Sequence, residues 1–394
     1  MHSDGDNALH KTKVGKKVMY KTKIFAAYLP QYHETEENNK FWGKGFTDWV
    51  TVKKAEALFE GHNQPRKPLN ENYYDLSNPY SIKEQVRLAK QFGVDGFNIY
   101  HYWFKNGHVV LQKPAELILE NKDIEIEFFF SWDNSSWKRS WSNVQGNDWA
   151  PRFELQGEDK EKSTYLLELD YGGQEQWREH FNYLLPYFKD SRYLKIDNAP
   201  VFMFFSNIDI KKIQKMGECW KEWAKENGFN GLYLVTQKGP FFRHKVFNAE
   251  FYYQPNYSGW AKQHAIKNRI KEFCPELVKE KEDPYMYNYE KIWKCIYRQA
   301  KRTIKKDYII GSFVSYDDTP RRGKQGIVVV KESVDLFKKY FGKIYELCCK
   351  NECDIILLTA WNEWGEGAFL EPDENNKYKY LEAVKEVKRK YFYK

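Results

Sequence analysis

Eight short apolar runs recur along the chain, and segments with helical periodicity separate most of them. The runs begin at Ile24, Gly96, Ile126, Ala199, Leu232, Ala249, Tyr308 and Asp354. Several, such as VFMFF and IILL, are continuously apolar, which is typical of strands that are covered on both faces in a parallel sheet. Eight such strands alternating with helices predict an α/β protein built as a single (β/α)8 TIM-type barrel.

Helical periodicity is clearest between the strands. The pattern predicts helices over residues 81–92, 174–189, 208–227, 289–304 and 332–350. A doubly wound open sheet is the alternative fold for this alternation. That fold usually carries a glycine-rich turn after its first strand, and no such turn follows the run at Ile24. We therefore expect one barrel domain over residues 23–394.

Two connections of the predicted barrel are long, at residues 30–80 and 133–173. Loops of this length in a compact domain usually have a function, and the loops that follow barrel strands form the catalytic face. Residues 1–22 differ from the rest because they are polar, rich in lysine and without apolar period. They predict a disordered basic tail.

Composition narrows the class of ligand. Aromatic residues make up 18% of the chain, with 14 Trp and 29 Tyr, and such rings suit clefts that hold sugars. The net charge of +8 is diffuse outside the N-terminal lysines, and no nucleic-acid-binding motif accompanies it. We expect an oligo- or polysaccharide ligand and no nucleic-acid partner. The sequence leaves the oligomeric state open.

Cysteine usage and the absence of membrane segments predict a cytoplasmic protein. None of the six cysteines forms a CxxC pair, and Cys348, Cys349 and Cys353 are typical of small buried hydrophobes. The first residues hold no apolar segment of signal-peptide length, and no stretch approaches the ~20 apolar residues of a transmembrane helix. No cluster of His, Asp or Glu has ligand spacing, so we expect no metal and no cofactor.

The motif LLTAWNEWGEGAFLEPD begins as an apolar strand and turns polar at Asn362. Glu363 and Glu366 follow at once, and carboxylates at the carboxyl end of a barrel strand are typical of catalysis. Two carboxylates are the minimum equipment for glycosidic chemistry, and the flanking Trp361 and Trp364 would exclude water and raise one pKa. The alternative is that the acids cap the next helix or pair with lysines. We favour catalysis.

Four other motifs supply candidate substrate-binding residues. They are Tyr28, Gln31, His33, Trp42 and Trp49 in the first long connection, Asn98, Tyr100, Tyr102 and Trp103 at the second strand, Trp132, Asn134, Trp137 and Arg139 after the third, Tyr316, Asp317, Asp318 and Arg321 after the seventh, and Trp361, Asn362 and Trp364 around the acids. Structural alternatives stand beside them: a hydrogen-bonded structural histidine, a packed layer at the barrel mouth, and a turn stabilised by Asp and Pro.

The motifs YLPQYH, FWGKGFTDW, GHNQP, HYWF, WDNSSWKRSW, WREHFNYLLPYF and AWNEWGEGAFLEPD together resemble the WbsX-like group. That group is similar to family 99 of the glycoside hydrolases, the endo-α-mannosidases. The resemblance runs from about Ile24 to the C-terminus and implies a (β/α)8 barrel without a metal cofactor. It also implies that Glu363 removes the proton of a sugar 2-hydroxyl, whose oxygen attacks the anomeric carbon to give a 1,2-anhydro sugar. Glu366 would protonate the leaving group and then activate water.

Two positions depart from the pattern of this group. Many relatives read WANENW where this chain reads WDNSSW, from Trp132 to Trp137, so a glutamate is missing there. Asp48 replaces a glutamate in WGKGFTEW and is one methylene shorter. The first departure concerns a substrate subsite and leaves the two catalytic candidates unchanged.

With the paired acids, the resemblance implies a retaining, endo-acting glycoside hydrolase for a mannose- or rhamnose-type bacterial surface polysaccharide or a related glycan. One alternative is a glycosyltransferase or transglycosylase in O-antigen or capsular polysaccharide biosynthesis. A metal-dependent nucleotide-sugar transferase often carries a DxD motif, and Asp317 and Asp318 lack that spacing. The other alternative is a non-catalytic glycan-binding barrel, which would be free to lose Glu363 and Glu366.

Overall fold

The computed structural model describes residues 22–138, 165–206, 209–237, 245–261, 283–304 and 308–392. Eight parallel strands form the centre: β1 (Lys23–Tyr28), β2 (Gly96–Trp103), β3 (Glu127–Trp132), β4 (Ala199–Phe204), β5 (Tyr233–Gln237), β6 (Ala249–Phe251), β7 (Tyr308–Phe313) and β8 (Ile355–Thr359). Each strand pairs with the next, and β8 pairs with β1, so the sheet closes. The predicted (β/α)8 barrel and its eight strands are confirmed.

The strands are buried on both faces, as their apolar sequences predict. All eight residues of β2 are buried, including the polar Asn98 and His101. A glycine begins this strand because its neighbours leave no room for a side chain. A Cβ atom at Gly96 would lie 2.2 Å from the Phe25 ring of β1 and 2.6 Å from the Glu127 carbonyl oxygen of β3. The residue therefore sets how closely these three strands pack.

Helices surround the barrel: α1 (Pro79–Phe92), α2 (Lys113–Glu120), α3 (Gln174–Lys189), α4 (Ile210–Glu226), α5 (Tyr289–Thr303), α6 (Val334–Lys350) and α7 (Lys379–Phe392). The five predicted helices are confirmed, whereas α2 and α7 were not predicted. Helix α1 illustrates how the sequence sets the ends. The Asn78 side chain accepts a hydrogen bond from the Tyr80 N–H, Pro79 occupies the first turn, and Gly93 ends the helix in the left-handed conformation.

Shorter elements occupy the loops. The short helices are Glu36–Trp42, Asp48–Lys53, Leu69–Glu71, Lys105–Gly107, Asn256–Gly259, Thr319–Arg322, Gly323–Gln325 and Trp364–Glu366. The short strands are Val109–Val110, Trp137–Lys138, Tyr165–Leu167, Lys195–Ile196, Tyr285–Asn288, Ile327–Val330, Asn362–Glu363 and Ala368–Phe369. Most follow a barrel strand, so they build the face at the carboxyl ends of the strands.

The chain joins the barrel at Thr22, which is buried and whose carbonyl accepts a hydrogen bond from the Tyr345 hydroxyl. The predicted tail, apart from Thr22, lies outside the described residues. Cys348, Cys349 and Cys353 are buried, as predicted. Among the described helices, none has the length and the apolar character needed to span a membrane.

Candidate active site

The two candidate acids lie in a tight hairpin directly after β8. Residues Asn362–Glu363 pair with Ala368–Phe369, and the 3₁₀ turn Trp364–Glu366 connects them. The Asn362 side chain holds this hairpin to the end of β1: its Oδ1 accepts from the Leu29 N–H at 2.7 Å and its Nδ2 donates to the Leu29 carbonyl at 2.9 Å. Glu363 and Glu366 are therefore fixed at the carboxyl ends of the strands.

Two glycines make the hairpin possible. Gly367 has a φ of 54°, and a Cβ there would lie 2.9 Å from the Cβ of Asp317. A Cβ at Gly365 would lie 2.5 Å from Nε of Arg321 and 2.6 Å from Oδ2 of Asp48. The turn between the acids is therefore packed directly against two other side chains of the site, and a side chain at Gly365 would displace them.

Arg321 joins both acids and a third carboxylate. Its Nη1 donates to Oε1 of Glu366 at 3.0 Å, and its Nη2 donates to Oε2 of Glu363 at 3.2 Å. The same Nη2 donates to Oδ2 of Asp48 at 3.1 Å. Arg321 belongs to the short helix after β7 and Asp48 to the loop after β1, so three loops meet at one guanidinium.

The two glutamates have different environments. The side chain of Glu363 is 6% exposed and that of Glu366 is 23% exposed. Burial, with the charge of Glu366 and in spite of Arg321, raises the pKa of Glu363 to about 8. The Glu363 carboxyl is therefore protonated more easily than an exposed glutamate, and a carboxyl pKa raised toward neutrality is typical of groups that take part in acid–base chemistry.

The acids open into a cleft of about 480 Å³ at the mouth of the barrel, a volume within the usual range of ligand sites. Predicted residues on its walls, besides the acids, are Gln31, Trp42, Tyr100, Tyr102, Trp137, Tyr316 and Arg321. Sequence reasoning had not proposed the others, which are Leu29, Phe46, Asp48, Thr51, Asp133, Ser135, Phe205, Ser206, Gln237, Tyr253, Asn256 and Arg322.

Asp133 is an additional cleft residue whose carboxyl is affected by burial. Burial raises the pKa of this carboxyl to about 6, although its Oδ1 accepts a hydrogen bond from the Ser135 hydroxyl at 2.6 Å. Asp133 directly follows the last residue of β3. That position, at the carboxyl end of a barrel strand, is the sequence signal that could have identified it.

A second group of predicted residues lies behind the cleft walls, where it supports the site. It comprises Tyr28, Trp49, Asn98, Trp361, Asn362 and Trp364, all buried. Trp364 stacks on Phe369, with ring centroids 3.6 Å apart, and its Nε1 donates to Oε2 of Glu371 at 2.7 Å. Glu371 also accepts from the Tyr74 hydroxyl and from Gln85, while burial raises its pKa to about 7.

A third group of predicted residues lies away from the cleft: His33, Trp103, Trp132, Asn134, Asp317 and Asp318. Burial lowers the pKa of His33. Trp103 stacks on His180, with ring centroids 4.3 Å apart, and the Trp132 Nε1 donates to the Trp103 carbonyl. Asn134 donates to the Tyr171 hydroxyl and the Ser206 carbonyl. Arg139 lies outside the described residues.

The two aspartates after β7 organise loops. Asp317 is fully buried, and its Oδ2 contacts Nε2 of His62 at 2.8 Å and accepts from Nε2 of Gln64 at 2.7 Å. Its Oδ1 accepts from the Thr319 N–H and hydroxyl, as in a turn stabilised by aspartate. Asp318 accepts from the Ile327 N–H, and burial raises its pKa to about 6.

Eight parallel strands, surrounding helices and paired glutamates after the last strand define a (β/α)8 barrel with a candidate active site at the usual face. The sequence pattern of the family described as Glycosyltransferase WbsX matches residues 24–384. The chain belongs to this family, which confirms the resemblance noted in the sequence.

One curated relative and two solved structures are similar to this chain. The uncharacterized protein WxcX of Xanthomonas campestris pv. campestris (strain B100) is 27% identical over 372 residues, which cover 92% of this chain. The chain spans about half of that relative, at 49% of its length. The family 99 endo-α-mannosidase of Bacteroides thetaiotaomicron has a similar structure, with a TM-score of 0.53 and 13% identity over 93% of this chain and 96% of that one. A glycoside hydrolase-like protein also has a TM-score of 0.53 and 13% identity, over 96% and 97% of the two chains. These likenesses concern the fold.

Proposed function

We propose that the protein is a retaining, endo-acting glycoside hydrolase for a mannose- or rhamnose-type glycan, with Glu363 and Glu366 as its catalytic residues. The observation that carries this proposal is their placement on neighbouring nitrogens of Arg321, at the open end of the barrel and facing the cleft. Aromatic side chains on the same walls, such as Trp42 and Trp137, offer flat apolar surfaces to sugar rings.

The proposed reaction uses the sugar's own 2-hydroxyl as the nucleophile. Glu363 takes the hydroxyl proton, O2 bonds to the anomeric carbon, and the bond to the leaving oxygen breaks as Glu366 protonates that oxygen. Water then attacks the anomeric carbon of the 1,2-anhydro sugar. Glu366 takes a proton from this water, and Glu363 returns its proton to O2. Two inversions at one carbon give net retention, and both acids end in their starting protonation states.

In the free protein, burial and the charge of Glu366 raise the pKa of Glu363 to about 8, which favours the arrangement with the proton of the pair on Glu363. The proposed reaction begins with that proton on Glu366. The pair holds one proton whether that proton is on Glu363 or on Glu366, so both arrangements predict the same dependence of kcat/KM on pH. We expect kcat/KM to fall as the pH rises through about 8, where the pair loses its proton. The pH profile therefore does not distinguish the acid from the base, and variants of each residue are needed to assign the two roles.

The decisive experiment compares Glu363→Gln and Glu366→Gln on natural and activated substrates. A nitrophenolate departs without a proton, so the loss in Glu366→Gln should be smallest on nitrophenyl glycosides, where only the later activation of water needs Glu366. Glu363→Gln should lose about 10²–10⁴-fold on every substrate. The reverse pattern would exchange the two roles. Rapid wild-type turnover of a 2-deoxy substrate would exclude participation of the 2-hydroxyl.

Substrates for these assays come from a panel of mannose- and rhamnose-containing glycans, with products identified by mass spectrometry. Internal cleavage should release fragments of several lengths early in the reaction. Release of single sugars alone would exclude endo action. A panel without any cleavage would refute the hydrolase proposal for these sugars.

Glycosyl transfer is the second candidate function, favoured by the name of the family. The same barrel and acids would then pass the sugar to an acceptor hydroxyl in place of water. Incubation with nucleotide sugars and a glycan acceptor separates the two functions. Consumption of a nucleotide sugar with lengthening of the acceptor, and no hydrolysis in the glycan panel, would establish the transferase.

A further inference from the structure

Asp48 is a buried carboxylate that the proposed reaction does not use. Its side chain is 4% exposed and lies on the cleft wall, at the start of the short helix after β1. Its oxygens accept from three N–H groups: Nη2 of Arg321 at 3.1 Å, Nε of Arg321 at 3.4 Å and the Gly365 N–H at 3.2 Å. Asp48 therefore contacts both parts of the site, the arginine and the turn between the two acids.

This arrangement restricts how Arg321 can move. Two N–H groups of the guanidinium face Asp48, and these contacts orient its plane. In that orientation the other terminal nitrogen, Nη1, reaches Glu366, and Nη2 also reaches Glu363. The hydrogen bond from the Gly365 N–H to Asp48 fixes the position of the turn relative to Arg321. Loss of Asp48 would free the guanidinium to turn toward Glu363.

The charges of this cluster do not balance when every acid is ionised. One guanidinium faces three carboxylates, Asp48, Glu363 and Glu366, and leaves a surplus of two negative charges. Buried charge without a partner is costly, so the cluster favours binding a proton. Asp48 accepts three N–H groups, whereas Glu363 and Glu366 accept one each from Arg321. Of these two glutamates, Glu363 is the less exposed, at 6% against 23%. The proton is therefore best placed on Glu363.

Other ionisable groups that influence, or are influenced by, Glu363 come from several loops. They are Glu366 on the same turn, Arg321 after β7, Asp48 and Tyr32 after β1, Tyr100 and Tyr102 on β2, and Tyr253 after β6. Burial raises the pKa of each of these four tyrosines well above 10, so they stay neutral near pH 8. The charge of the cluster near neutral pH therefore depends on Arg321 and the three carboxylates.

We propose that Asp48 is a positioning residue, which orients Arg321 toward both glutamates and whose negative charge keeps one proton on the Glu363–Glu366 pair at neutral pH. The catalytic meaning of this inference rests on the proposed function. The proton itself can be measured without substrate, so a failure of either proposal is distinguishable from a failure of the other.

The test follows the carboxyl carbon of Glu363 by NMR as the pH changes, in protein with ¹³C-labelled glutamate side chains. The Glu363 signal is assigned by its loss in Glu363→Gln. Asp48→Asn removes the charge, and Asp48→Glu keeps it with one more methylene. We expect Asp48→Asn to lower the titration midpoint of Glu363 by at least about one pH unit, because a like charge is lost and Arg321 can turn toward Glu363. Asp48→Glu should leave the midpoint near the wild-type value.

Melting temperatures show which variants fold, and Asp48→Ser replaces Asp48→Asn if the latter does not. An unchanged midpoint in a folded, uncharged variant would overturn the proposal, as would an equal fall in Asp48→Glu. If the protein hydrolyses glycans, the fall of kcat/KM at alkaline pH should move to lower pH with the NMR midpoint in Asp48→Asn. If Asp48 had a purely structural role, Asp48→Asn would lower kcat without changing the pH at which kcat/KM falls.

Discussion

Replacing Arg321 by methionine tests whether one cation holds the site together. The substitution keeps an apolar stem of similar length. It removes the only ion-pair partner that the Glu363 side chain has among the described residues, together with a partner of Glu366 and of Asp48. Removing one partner of a buried ion pair costs about 3–5 kcal/mol. Because the Arg321 side chain is 25% exposed, we expect the lower value, about 3 kcal/mol. For a chain of this length, that loss lowers the Tm by about 4 °C.

The loss should depend on pH with a definite sign. Without the cation, the buried carboxylates repel one another with no compensating charge, so the folded protein binds protons more readily than the unfolded chain, whose carboxyl pKa values lie near 4. The destabilisation is therefore greatest at neutral pH and shrinks as the pH falls to about 4 and below, where the unfolded chain is protonated as well. Scanning calorimetry of Arg321→Met and wild type at pH 7 and at pH 4 measures this difference.

Arg87→Met is the matched control, because Arg87 is an exposed arginine of α1 that pairs with Glu84 at 3.0 Å. An exposed pair contributes about 0–1 kcal/mol, so the control should change the Tm by little at either pH. Equal losses for Arg321→Met at pH 7 and pH 4 would refute the electrostatic reasoning and indicate lost packing. A loss no larger than that of Arg87→Met would refute it as well.

Three further outcomes are expected. Gly365→Ala should lower kcat/KM by about 10²-fold, since the new methyl group displaces Arg321 and Asp48. The control is Gly342→Ala in α6, which should leave activity unchanged because a Cβ there meets nothing nearer than 3.5 Å. Equal activity of the two variants would contradict the packing argument. EDTA should leave turnover unchanged, because the described residues contain no group of three or more His, Cys, Asp or Glu side chains placed to hold a metal ion. Loss of activity that one metal restores would contradict this prediction. A shortened chain that begins at Lys21 should keep the Tm of the full chain, since the sequence before it has no apolar period with which to dock. A fall of many degrees would show that the earlier residues pack.

The barrel was predictable because its signal is local. Each strand is apolar on both faces over several consecutive residues, and this pattern is visible without knowledge of any partner. Helix α2 was missed because its eight residues span little more than two turns, too few to establish a period. Residues 238–244, in the connection from β5 to β6, lie outside the described residues.

The candidate acids were also visible in the sequence, since Glu363 and Glu366 follow a strand directly. Their partners were not, because the contact between Arg321 and Asp48 joins residues 273 positions apart. Sequence alone left two readings of Asp317, a ligand for hydroxyl groups or a turn. Its contacts with His62 and Gln64 depend on a loop that no local pattern relates to β7.

The two hydrogen bonds between the Asn362 side chain and Leu29 span 333 positions of the chain. They hold the hairpin of the acids to the end of the first strand, so Glu363 and Glu366 reach their final positions only after the last strand has docked beside the first. A ribosome adds about 5–20 residues each second, and the nascent chain therefore carries its first strand for tens of seconds before the acids are made. During that time the growing polypeptide lacks the paired acids of the candidate site, and any activity that depends on them should appear in one step with completion of the ring.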